Sequence, residues 1–152
     1  MSDNPLLKVG PPWVLVADFG SPSFEVMVGE LRAGGGVVIA VDGAQATTSD
    51  GVFEQFAQAA VLPEYFGRNW PALGECLADL EWLPGTAYVV TVENADRLLE
   101  DEPLSRGAFA RMIKRVAEEW ATAVADGEYW DRPSVPFHVV LDGDGILDEL
   151  GA

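Results

Sequence analysis

The sequence predicts an α/β domain built on a parallel sheet, and three observations carry that prediction. Short apolar, β-branched runs recur at 13–17, 37–41, 88–92 and 135–141. Amphipathic helical stretches lie between the last three of them, and strands alternating with helices in this order pair in parallel through right-handed crossovers. The chain of 152 residues, 49% hydrophobic, is the size of one domain with a sizeable core, and it holds no internal repeat or low-complexity tract.

Trp13 to Ala17 is the first strand candidate. The following segment, with Phe24, Val26, Met27, Val28 and Leu31, takes no defined structure from this reading, and Gly34 to Gly36 read as a hinge. Val37 to Val41 is a continuous apolar run closed by Asp42 and Gly43, the pattern of a strand buried on both faces, which places it at the centre of the sheet. Asp50 is the expected cap of the next helix, whose inner face carries Phe53, Phe56, Ala57 and Ala60 at helical spacing and which Pro63 ends. A shorter helix follows from Trp70 to Leu80, with Leu73, Leu77 and Leu80 on one face, Pro71 in the first turn and Gly74 inside it. Tyr88 to Val92 is the next strand. A long helix from Ser105 to Ala125 turns Phe109, Met112, Ile113, Val116 and Trp120 inward, and Val135 to Leu141 forms the last strand before a polar Asp-Gly-Asp-Gly turn.

The 25 carboxylates against nine Lys and Arg give a formal charge of −16, which repels phosphate backbones and anionic membranes and attracts basic partners. No Lys or Arg lies between Ala33 and Gly67, and beyond Arg115 only Arg132 remains. Neither nucleic-acid binding nor membrane insertion is expected, since Gly, Pro or charge interrupts every apolar run. A single cysteine excludes an internal disulfide, and the start of the chain lacks the apolar run of a secretory signal, so a cytoplasmic protein is expected.

The residues that could carry catalysis or hold a metal are few. His138 stands alone in an apolar strand, where a structural role is the stronger reading. Cys76 lies on an amphipathic helix with no Cys or His at metal spacing, which favours a packed thiol. The segment 142–149 is similar to a calcium loop, but Ile146 occupies a position that needs an oxygen ligand. Gly34 to Gly36 precede a strand where a phosphate-binding loop would follow one. So many carboxylates always supply candidate acid pairs, which makes such pairs uninformative. No catalytic residue, metal or cofactor is expected.

The most unusual stretch is Leu62 to Leu77, which sets Tyr65, Phe66 and Trp70 around Gly67 in a loop leading into a helix. Such rings either pack on the sheet or anchor a binding surface. Leu62, Pro63, Glu64, Tyr65, the aromatic Phe66, Gly67, Asn69 and a leucine-rich helix with Cys76 together resemble the barstar family, intracellular inhibitors of secreted barnase-type ribonucleases. The similarity runs more weakly from the strand at Gly36 to the strand ending near Leu141, which divides the chain into an N-terminal extension with one strand, 1–35, and a barstar-like domain, 36–152.

The resemblance implies a three-stranded parallel sheet packed by helices, with the N-terminal strand as a possible addition, and a one-to-one complex with a basic ribonuclease formed by a monomer. It implies that Tyr65 and Asn69 are binding residues, that Glu75 stands where the family has its central aspartate, and that Glu118 is an acidic contact from the long helix. Asp79, four residues from Glu75, shares its polar side. Pro71 and Gly74 depart from the pattern, replacing an acidic binding residue and an exposed tryptophan, and Trp70 with Arg68 is the replacement aromatic contact. Three alternatives stay open: an immunity protein against a toxin that is not a ribonuclease, an enzyme using the carboxylates, and an acidic mimic of nucleic acid.

Overall fold

The computed structural model describes residues 3–150, and the outermost two residues at each end of the expected domain bounds lie outside it. Four strands form one parallel sheet in the order β1-β4-β3-β2: β1 (Val14–Val16), β2 (Val37–Asp42), β3 (Tyr88–Glu93) and β4 (Phe137–Leu141). Ile39, Val90, Val139 and Val14 stand side by side in one row across it. Side chains alternate along a strand, so this row and the row of Val41, Val92 and Leu141 point to one face, while Leu15, Val38, Val89 and Val140 point to the other. The fold is the expected α/β class with a parallel sheet, and the N-terminal strand adds a fourth member beside β4.

Helices cover both faces. On the first, α2 (Ser49–Ala59), α3 (Trp70–Asp79) and α4 (Arg106–Ala121) enclose the larger core, in which Phe56, Leu73, Leu77, Phe109 and Phe137 are buried. On the second, α1 (Pro22–Ala33) lays Phe24 and Leu31 over Val89 and Val140, with Leu6 beside them.

Helix α1 occupies the stretch for which the sequence reading gave no structure. Ser21 caps it by accepting from the Phe24 amide at 3.2 Å, Pro22 stands in the first turn, and Phe24, Met27, Val28 and Leu31 fall at i, i+3, i+4 and i+7 on its inner side. Strand β2 is at the edge of the sheet, paired only with β3, and not at the centre as its apolar run suggested. Ile39 and Val41 join the larger core while Val38 packs against the smaller one, so helices on both faces give an edge strand the composition of a central one.

Helix boundaries also differ. Thr48, not Asp50, caps α2, its hydroxyl accepting from the Gly51 amide at 3.1 Å. That helix ends at Ala59, before Pro63, because Val61 takes a left-handed conformation with φ +51° and turns the chain outward. Helix α4 stops at Ala121 rather than 125: Thr122 is extended, and Val124 pairs with Arg132 across an isolated antiparallel bridge.

Buried polar groups tie the N-terminal residues to the rest. The two ring nitrogens of His138, on β4, lie 2.9 and 2.7 Å from the carbonyl oxygens of Pro12 and Lys8. Asn4 accepts from the Leu6 amide at 3.0 Å and donates to the Met27 carbonyl of α1 at 2.9 Å. His138 is therefore a packed, hydrogen-bonded core residue.

Candidate functional site

The loop between α2 and α3 is pinned from both ends. Val61 and Arg68 both adopt φ +51°, a conformation that costs a non-glycine residue about 1–2 kcal/mol and that persists only where surrounding contacts fix it. Arg68 is fixed by donating to Asp50 at 2.7 Å and Glu54 at 3.2 Å on α2. Hydrogen bonds from Gln58 and then Arg68 hold the Glu54 carboxyl below its ordinary range. Phe66 packs edge-on against Phe53 at 6.1 Å. Tyr65 instead stands out from the loop, 76% exposed.

Asn69 closes the loop and starts α3. Its side-chain oxygen accepts from the Ala72 amide at 2.8 Å, its amide group donates to the Gly67 carbonyl at 3.3 Å, and Pro71 sits in the first turn, where its missing N–H is not needed. Asn69 is thus used by the fold. Trp70 is also turned inward: half-buried, it meets Phe53 at 4.9 Å and Phe109 at 6.2 Å, both edge-on.

Helix α3 buries Leu73, Cys76 and Leu77 and exposes Glu75 and Asp79. Its C-terminal carbonyls are satisfied from outside the helix: Trp120 Nε1 donates to Leu77 at 2.7 Å and Arg132 to Ala78 at 2.8 Å. Burial, then the charges of Asp79 and Glu75, push the Cys76 thiol up, so it is a packed thiol rather than a nucleophile. Glu75 and Asp79 have no ion-pair or side-chain hydrogen-bond partner among the described residues. Like charges at this spacing, at the negative end of a helix that carries no basic residue in its last turn, oppose helix formation. Their local helix gains no stability from this pair of charges, and both side chains are exposed.

A groove of about 620 Å³ runs between α3 and α4. Trp70, Gly74, Glu75 and Asp79 form one wall; Arg111 and Arg115 stand on the other. A Cβ on Gly74 would meet only Met112 Cγ at 3.4 Å, so packing does not require glycine there, and its effect is to leave the groove open. Of the residues singled out in the sequence, Trp70, Gly74, Glu75 and Asp79 thus come together, Tyr65 projects from the adjoining loop, and Arg68 folds back on α2. Glu118 does not line this groove but a shallower depression beside it with Arg115 and Thr122; Glu119 lines both. The sequence reading did not propose Arg111, Arg115 and Glu119 as site residues, although their spacing of four beside the buried Met112 and Val116 puts them on one stripe of α4. Among the described residues no three His, Cys, Asp or Glu side chains are arranged to hold a metal.

The fold and the site define a class: α/β domains in which an aromatic loop, capped by asparagine, feeds a short helix that is leucine-rich inside and acidic outside. The profile of the barstar (barnase inhibitor) family matches residues 37–142, more than two-thirds of the chain, and the protein belongs to that family. Among curated proteins none matches the chain significantly. The matched residues contain β2 to β4 and the whole site; β1 and α1 precede them.

Proposed function

We propose that this protein is an intracellular inhibitor of a secreted, basic, guanyl-specific ribonuclease, and that it acts by covering the active site of its target in a one-to-one complex without catalysis of its own. The observation that carries this reading is the unpaired carboxylate pair Glu75 and Asp79, exposed on α3 in a chain of the barstar family. A ribonuclease holds phosphate with cationic groups, and a carboxylate entering such a site makes charge-assisted hydrogen bonds where water is excluded. Tyr65 adds a large exposed ring at the rim, and the charge of −16 favours rapid encounter with a basic protein.

The test is titration of the purified chain into a panel of secreted guanyl-specific ribonucleases at near-physiological salt, following RNA cleavage. Stoichiometric inhibition of one member is expected, with Glu75→Ala weakening it several-fold or more while the fold persists. No inhibition across the panel overturns the reading. A second reading, an immunity protein against a toxin of another activity, is favoured by one feature: Arg111 and Arg115 bring positive charge to the groove opposite Glu75 and Asp79, which a purely cationic active site would not match.

A further inference from the structure

Beyond α4 the chain forms an ordered arm, held to the core at its base by Arg132. Val124 and Arg132 exchange two backbone hydrogen bonds of 2.9 Å, which closes the arm at its base. Inside it the Asp131 carboxylate accepts from the amides of Asp126 and Gly127, each at 2.8 Å, and Gly127 takes φ +80° to make the turn. Partial desolvation would raise the Asp131 carboxyl, but the amides of Asp126, Gly127 and Glu128 outweigh it and hold it below its ordinary range. Trp130 Nε1 donates to Asp126 at 3.0 Å, which fixes the indole.

This scaffold holds its two largest side chains out to solvent. Tyr129 is 94% exposed and Trp130 52%, and their rings meet edge-on at 5.1 Å. A fixed aromatic pair presented outward is costly to keep hydrated and is the residue chemistry most enriched at binding hot spots. The arm also stands beside the acidic helix. Arg132, at its base, lies 4.0 Å from the ring centre of Trp120 and donates to Ala78, the neighbour of Asp79. Arg132 is half-buried against Trp120 and lines the groove, and the exposed charges of the arm are the carboxylates of Asp126, Glu128 and Asp131.

We propose that the arm from 123 to 134 is a second contact element of the inhibitor, in which Tyr129 and Trp130 anchor on the same basic ribonuclease that the outer side of α3 engages. The proposal rests on the inhibitor reading above. Charge selects this occupant over a second copy of the chain, because two surfaces of the same acidic protein repel. It also gives the surface an aromatic anchor that Gly74 does not supply and that Trp70, packed on Phe53 and Phe109, supplies only in part.

The experiment compares the wild-type chain with the double variant Tyr129→Ser, Trp130→Ser against the ribonuclease panel, together with the urea midpoint of each and sedimentation of the free proteins. The expected result is an unchanged midpoint and inhibition weakened about tenfold or more, mainly through faster dissociation. Equal inhibition by variant and wild type overturns the arm and leaves the inhibitor reading standing. No inhibition of any ribonuclease by the wild-type chain removes both. A wild-type dimer that the double variant disperses assigns the pair to self-association and also overturns the proposal. Should the double variant lose stability, Tyr129→Ala alone decides, since that side chain is almost wholly outside the fold.

Discussion

The two faces of the sheet are built by different means. Under α2, α3 and α4 lies a dense aromatic core, where Phe56 and Trp70 both pack against Phe109, Tyr88 meets Trp120 and Phe137, and the polar site sits on the outside of that packing. Over the opposite face the N-terminal residues lay a smaller apolar cluster, and specific polar bonds from Asn4 and His138 hold it in place. Under the proposed inhibitor reading the contrast separates roles: the first face would carry the recognition surface on top of a stabilising core, and the second would serve stability. Substitutions on the N-terminal side are then expected to change the free energy of folding and leave inhibition intact, and substitutions of the exposed residues on the outer side of α3 to do the reverse.

The largest expected effect lies in the aromatic core. Phe56→Ala removes a fully buried ring between α2 and Phe109 and is expected to cost about 3–5 kcal/mol, measured as a lowered urea midpoint. A cost below about 1 kcal/mol would mean that this face relaxes easily and is no denser than the other. Next comes His138→Ala, which removes a buried ring and leaves the carbonyl that accepts its N–H, that of Pro12 or of Lys8, without a donor, at about 1–3 kcal/mol. Its inhibition of a susceptible ribonuclease is expected to match wild type once the protein is folded. A variant that is stable but no longer inhibits would break the division of roles, because it would couple the N-terminal cover to the site.

The sequence revealed the two faces unequally, for physical reasons. Both helices flanking the aromatic loop were legible because Phe53 and Phe56, and Leu73 and Leu77, repeat at helical spacing over a single buried face. Helix α1 carries the same spacing at Phe24, Met27, Val28 and Leu31, but Val26 and Gly29 interrupt it, and its cap, Ser21 followed by Pro22, was the signal to weigh. The edge position of β2 was not legible, since strand order is settled by which neighbours pair and not by composition. At the site, the outward carboxylates of α3 followed from periodicity, whereas the groove wall of Arg111 and Arg115 depends on how α3 and α4 pack, which one helix's pattern does not specify. Nor did periodicity show that Asn69 caps α3 or that Trp70 packs against Phe53.

Gly74 offers a smaller effect of opposite sign. Because a Cβ there makes only an ordinary contact with the flexible Met112 side chain, Gly74→Ala is expected to stabilise the free protein by about 0.5–1 kcal/mol through backbone entropy. A gain in midpoint accompanied by weaker inhibition would show that the open groove receives part of the partner; unchanged inhibition would confine the contact to the rim.

The smallest change in stability is expected where the change in function is large. Glu75 and Asp79 repel one another four residues apart near the negative end of α3, with no compensating cation in its last turn. Glu75→Ala removes that repulsion and introduces the best helix former, so the free protein is expected to gain about 0.2–0.5 kcal/mol in the same urea experiment. The same variant is expected to weaken inhibition several-fold or more. Opposite signs in one side chain are what a recognition residue held at the expense of its own helix predicts. If Glu75→Ala lowered the midpoint instead, the carboxylate would be serving the fold, and its exposure on α3 would no longer argue for a partner.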